Sequence, residues 1–188
     1  MTFYAGYDII QIIRMLRKGG YVMFEIKATN LHWLKGTDEI FDLCLHGDAW
    51  VRIGDECLEY EGATVSATAF YLLKSLLRSD PNDYRAAQYL PCCGHYMFLW
   101  QGEVVIMGCP NGVDWLVIHE GEQIRLITEN KHETVLPFKE YKQIVFAFAD
   151  EIEMFFRNSK EKVFDDEEDR QVYVAFWKEW HELRKAFA

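Results

Sequence analysis

The residues of this chain best suited to chemistry are Cys92, Cys93 and His95, with Cys109 placed to approach them across a hairpin. Thiolates and imidazole nitrogens are good zinc donors, and Cys93 and His95 are close enough in sequence to reach one ion. A structural zinc site needs four ligands, however, and no second pair follows at matched spacing. Ordinary thiols at a junction between loop and strand account for the same residues. Cys92 or Cys93 is also a candidate nucleophile, with His95, His119 or His132 as base. A reactive thiol needs an electropositive pocket or a helix N-terminus, and so acidic a chain offers no evident one.

His119 shares an alternating stretch with Trp115 and Val117, which predicts a histidine hydrogen-bonded within the core. Its nearest acids, Asp114 and Glu120, fall on the opposite face, which counts against a base and carboxylate pair. The densest acidic run, Asp165, Asp166, Glu167, Glu168 and Asp169, has the character of a solvated linker. Gly19-Gly20 follows a helix and leads into a strand, the reverse of the order that a phosphate loop uses. There is no Ser elbow and no metalloprotease helix motif. The expectation is therefore a chain without metal or cofactor, leaning away from an enzyme.

A meander of antiparallel strands from His95 to Asn130 would position these residues. Gln101-Gly102, then Pro110, Asn111 and Gly112, then Gly121-Glu122 supply its turns. A two-residue loop at Gly121-Glu122 puts Val113, Trp115, Val117, His119, Ile124 and Leu126 on a core face. Asp114, Leu116, Ile118, Glu120, Arg125 and Ile127 then share a partly covered one. From Pro137 the period becomes helical: Phe138, Tyr141, Ile144, Val145, Phe148, Ile152, Phe155 and Phe156 form a stripe for the meander, with Lys139, Lys142, Asp150, Glu153 and Arg157 opposite. Phe146 and Met154 fall off the stripe, available to another helix or to a second copy of the chain.

The first half is read the same way. A helix runs from the Asp8 cap to Gly19, a strand from Tyr21 to Lys27, and a loop from Thr29 to Glu39 whose Trp33 tucks under the sheet. IFDLCLH, AWVRIG and CLEYEG read as strands turning at Gly47-Asp48 and Asp55-Glu56, with Cys44 and Cys57 as small hydrophobes. Thr64 can cap a helix burying Val65, Ala69, Leu72, Leu73, Leu76 and Leu77. A short helix over Asp83 to Leu90 stops at Pro91. The last helix, Asp166 to Ala186, stacks Val172, Tyr173, Phe176, Trp177, Trp180, Leu183 and Phe187. His46 and His119 precede Val51-Arg52-Ile53 and Ile124-Arg125-Leu126 by the same interval. Such a match arises from an internal duplication of halves 1–91 and 92–188, and equally from generic hairpins alternating with turns.

The chain is expected to be one α+β domain over residues 1–188, with antiparallel meanders packed on helices and a helical C-terminal pair. Acids outnumber bases by 30 to 20, giving a net charge of −10, and this argues against nucleic acid as a partner. No apolar run approaches the roughly 20 residues that cross a bilayer, and the N-terminus lacks a basic leader and a small-residue cleavage site. The expected setting is cytoplasmic, with the five cysteines as reduced thiols. A compact, acidic, aromatic-rich chain without a catalytic motif resembles, in composition and plan, bacterial immunity and antitoxin-type inhibitors. That resemblance implies a non-catalytic intracellular domain that binds a basic protein, through Asp165, Asp166, Glu167, Glu168, Asp169 and Trp177. The alternative is a small-molecule- or zinc-binding enzyme, its pocket between the meanders lined by Trp33, Trp50 or Trp100 near Cys92, Cys93 and His95.

Overall fold

The computed structural model describes residues 23–34, 39–77, 79, 89–92, 96–108 and 111–187. The helix expected from Asp8 to Gly19, the start of the strand at Tyr21 and most of the short helix from Asp83 lie outside these residues. The described chain is α+β, as expected: three antiparallel sheets and three helices, the last two C-terminal. The first sheet is the meander β1 (Phe24–His32), β2 (His46–Ile53) and β3 (Glu56–Ala63), followed at once by α1 (Val65–Ser75). The hairpin of β4 (Tyr96–Trp100) and β5 (Glu103–Met107) stands as a sheet of its own. A second meander, β6 (Trp115–Glu120), β7 (Gln123–Thr128) and β8 (Glu133–Pro137), runs directly into α2 (Phe138–Asn158), and α3 (Glu167–Ala186) closes the order. Among the described residues no helix is long and apolar enough to cross a membrane.

Alternation sorts the faces of β6 and β7 as the sequence predicts, except that Asp114, expected on the partly covered face, is buried and accepts from Tyr89 N at 3.4 Å. Trp115, Val117, Ile124 and Leu126 are buried, while Leu116, Ile118, Arg125 and Ile127 are half-covered. In the first sheet Phe24, Ile26, Ala28, Ala49, Val51 and Ile53 are buried, and the Phe24 ring lies 5.3 Å from Tyr141 of α2. One apolar core runs from Phe24 to Leu183 through both meanders. The stripe of α2 also holds, except that Glu153, expected on the open side, is buried under α3. It accepts from Trp180 Nε1 at 3.0 Å and pairs with Arg157. Phe146 meets α3 too, with the Arg184 guanidinium 4.8 Å from its ring, whereas Met154 is exposed.

Several expectations are corrected. The segment IFDLCLH is a loop up to His46, because the Asp42 carboxylate accepts from Leu34 N at 2.7 Å and Cys44 N at 3.0 Å, where a ladder would have used backbone carbonyls. Gly47-Asp48 lies inside β2 and is no turn; the reversal falls at Gly54-Asp55. β1 continues to His32 through an irregularity between Thr29 and His32. The stretch from Tyr96 to Thr128 is two sheets, since β5 and β6 do not pair. β8 is a strand that the sequence reading did not include, and Leu77, expected to be buried, is exposed. The plan of meander then helix does recur in both halves. The triplets Val51-Arg52-Ile53 and Ile124-Arg125-Leu126 both lie on middle strands, but the histidines do not correspond, since His46 opens the middle strand of one meander and His119 lies near the end of the first strand of the other.

Gly47 marks where β2 passes closest to the bend in β1. A Cβ there would stand 2.9 Å from both Leu31 Cδ2 and the Thr29 carbonyl oxygen. Gly47→Ala is therefore expected to destabilise the fold by about 1–3 kcal/mol, since backbone on the far side must shift to admit it. Urea unfolding measures the loss, and an unchanged midpoint would show that the bend yields freely.

Candidate functional site

The β4–β5 hairpin is built by a two-residue loop in which Gln101 (φ 52°) and Gly102 (φ 86°) both adopt positive φ, the geometry that matches the twist of the flanking strands. Its register pairs Tyr96 with Met107, Phe98 with Val105 and Trp100 with Glu103 on one face, and Met97 with Ile106 and Leu99 with Val104 on the other. The second face packs inward, burying Val104 and Ile106 against α1 and α3. The first face looks outward and is nonetheless aromatic. Tyr96 and Trp100 are each 62% exposed, Met107 is 52% exposed, and the Tyr96 and Phe98 rings lie 5.4 Å apart. Large apolar side chains gathered on one outward face are characteristic of docking surfaces.

The two edges of this hairpin differ. On β5, Ile106 N–H donates to the Tyr71 hydroxyl at 3.0 Å and that hydroxyl donates to the Ile106 carbonyl at 2.7 Å. Val104 N–H donates to Glu179 Oε2 at 2.9 Å, and Lys74 Nζ donates to the Val104 carbonyl at 3.0 Å. Lys74 and Glu179 are themselves 2.7 Å apart. Side chains of α1 and α3 thus occupy the whole outer edge of β5, which is why β6 cannot pair there. Because Val104 and Ile106 direct their backbone groups outward, their opposite numbers Leu99 and Met97 do the same on β4. Those amides and carbonyls have no hydrogen-bond partner among the described residues.

Other strand edges carry protection of familiar kinds. β1 has its irregularity and the Glu25–Lys27 pair, and β3 carries Glu56, Glu59 and Glu61. On β6 the His119 N–H donates to Ser79 Oγ at 2.9 Å, and β8 begins at Glu133 and ends at Pro137. β4 reads Tyr-Met-Phe-Leu-Trp, without charge, proline or bulge.

The acidic run expected to bind a partner opens α3. Asp166 caps the helix by accepting from Asp169 N at 2.9 Å. Glu167 pairs with Arg170, whose hydrogen bonds and charge, aided by Gln171, hold its carboxyl down at about 2. Asp169 is pushed up by burial and by Asp166 and Asp165. Asp165 and Glu168 are exposed. Trp177 lies roughly 15 Å along the helix from Glu167, at about 1.5 Å per residue. It packs edge-on against Phe156, centroids 5.0 Å apart, and lies beside His181, so part of its ring is spent joining α2 to α3.

Of the residues weighed for chemistry, Cys93, His95 and Cys109 lie outside the described residues. Cys92 is disulfide-bonded, in contrast to the expected reduced thiol, and in that form it is neither zinc ligand nor nucleophile. Among the described residues no three His, Cys, Asp or Glu side chains are grouped to hold a metal ion. His119 Nε2 lies 2.7 Å from the Ser75 carbonyl oxygen, so the expected hydrogen bond forms, but the residue is only half-buried near the end of β6 and not within the core. The tryptophans of the alternative pocket occupy different settings: Trp33 is buried against Phe155 and Phe156, Trp50 lies under Lys27 and Arg52 on the outer face of the first sheet, and Trp100 is open on β4.

A buried polar knot escaped the sequence reading. Lys162 sits 3.2 Å from the centroid of the Trp33 ring and donates to the Glu39 carbonyl at 3.1 Å, while Asp42, Cys44 and His46 are buried close by in the chain. The Cys44 thiol is pushed well above the usual thiol range by burial and by Asp42, so it stays protonated. Its buried position in the loop just before β2 leaves it a packing residue. Cys57 is exposed on β3 and does not serve as a buried hydrophobe. The signal for the knot was a lysine in an apparently solvated linker, which no local pattern separates from its neighbours. No protein-family model, curated protein or solved structure matches the chain.

Two measurements check these assignments. Tyr71→Phe removes both partners of Ile106 and should cost about 1–3 kcal/mol, with faster amide exchange at Ile106; unchanged protection there would mean that the edge is held by other contacts. The Glu167 carboxyl should titrate near 2, below its ordinary 4.5, and Arg170→Ala should return it toward that value. Since the folded value is the lower one, this pair supports the fold above about pH 4.5 and its support fades as pH falls toward 2. A carboxyl NMR titration with its midpoint near 4.5 in both proteins would show that the pair does not form in solution.

Proposed function

We propose that this protein is a non-catalytic protein-binding domain whose docking surface is the free edge and outward face of β4. One observation carries the reading: among the described residues the outward backbone groups of Met97 and Leu99 have no partner, beside exposed Tyr96 and Trp100, on a strand that lacks the protections of the other edges. An extended segment laid along such an edge gains main-chain hydrogen bonds, while alternate side chains supply selectivity. The net charge of −10 favours a basic partner and steers its approach, with exposed Asp165 and Glu168 contributing to the field. An inhibitor of the immunity or antitoxin kind fits this chemistry. The enzymatic alternative near Cys92, Cys93 and His95 is weaker, because Cys92 has no free thiol.

The test uses the partner retained by the full chain and compares variants of the two surfaces. Leu99→Pro removes an outward N–H at an edge where proline is tolerated, and should lower affinity at least about tenfold without lowering the unfolding temperature. Asp165→Lys combined with Glu168→Lys should instead slow association and flatten its salt dependence. Binding left intact by the proline, and lost on charge reversal, would move the docking surface to the start of α3.

A further inference from the structure

Resting on the reading of β4 as a docking edge, we propose that its occupant is a second copy of this chain: two β4 strands pair antiparallel about a two-fold axis through Phe98, joining two hairpins into one four-stranded sheet. The outward backbone groups belong to Met97 and Leu99, which flank Phe98 symmetrically. Antiparallel pairing in this register sets Met97 of each copy against Leu99 of the other, so every free N–H and C=O at the edge meets its complement. The same register fixes the outward face. Phe98 faces its own copy on the axis, and Tyr96 faces Trp100 on either side, so all three cross-strand pairs on that face are aromatic, the kind that most favours strand association. Backbone complementarity of this kind is open to any antiparallel edge; what is particular to this strand is that Tyr96, Phe98 and Trp100 all meet aromatic partners.

Like charge opposes that occupant over most of the surface and restricts where two copies can meet. Each chain carries −10, so two copies can approach closely only along a stripe free of acids, and Tyr96–Trp100 contains none. The assembly also terminates itself. The outer edge of β5 is already bonded to Tyr71, Lys74 and Glu179, so the four-stranded sheet has no edge on which a third chain can continue, and the pairing closes as a dimer. Strands of five residues present a small interface, below the roughly 1,200 Å² of total area typical of stable complexes, so the dimer should be reversible, with Kd roughly micromolar or weaker. Salt should strengthen it by screening the repulsion between two acidic chains, whereas salt weakens capture of a basic partner.

Sedimentation of the full chain across roughly 1–500 µM should show a monomer–dimer equilibrium that shifts toward dimer with added salt. Phe98→Lys places two ammonium groups face to face on the axis and should leave a folded monomer. Phe98→Cys, made with Cys57→Ser, should cross-link through an intermolecular disulfide on mild oxidation, because directly opposed residues lie within disulfide reach. Val105→Cys on the same face, about three strand spacings from its copy, should not. A wild-type monomer at every concentration, or a dimer indifferent to Phe98→Lys, would overturn self-pairing. Amide exchange at Met97 and Leu99 then separates the two ideas. Protection on adding a synthetic lysine-flanked peptide of alternating apolar residues would keep the docking edge and discard the second copy, and no protection in any sample would discard both.

Discussion

Everything in this fold answers to a helix with almost no side facing water. Tyr71 and Lys74 are the two residues of α1 that are not fully buried; the rest of it lies under β2, α2 and α3. Such a helix has few outlets for polar groups, and each must find a partner inside the protein. Ser66 accepts from Leu45 N, Ser75 lies between Leu72 and Tyr141, and Tyr71 and Lys74 reach the edge of β5. The position of the hairpin follows from this requirement, since its edge supplies the backbone groups that α1 lacks.

That solution makes the hairpin asymmetric. One edge is consumed by side chains from two helices, and the other is left with its backbone groups facing out beside aromatic rings. An open edge of this kind is a hazard unless something covers it. The strands at the other sheet edges meet the same hazard with charge, irregular pairing or proline, so the composition of β4 stands out against its own molecule as well as against general expectation.

The ionisable groups mostly serve the architecture. Glu153 is buried to receive the Trp180 indole and the arginines beside it, Asp42 holds a loop by its backbone, and Asp166 begins a helix. Burial and the neighbouring Asp42 hold the Cys44 thiol in its protonated form. Acids at the start of α3 keep their place through local bonding, and those left exposed, Asp165 and Glu168, contribute charge to the surface.

The α+β class, the two-residue turn at Gly121-Glu122, the inward face of β6 and β7 and the stripes of α2 and α3 were legible in the residues, because period and turn chemistry are local properties. Pairing is not local, so the split between β5 and β6, the loop that replaced a strand at Asp42 and the burial of Glu153 and Lys162 depended on what lay across the fold. The six residues from Asp165 to Asp169 and Trp177 were visible as an acidic and aromatic group, but the bonds that occupy Asp166 and Glu167 and the packing that half-covers Trp177 were not. The sequence by itself determined which side chains of the strand Tyr96 to Trp100 share a face, through the alternation of its backbone. Tertiary structure decided that this face would lie open and, among the described residues, that one edge of its hairpin would have no partner, because only the packing of α1 and α3 settles which edge their side chains reach.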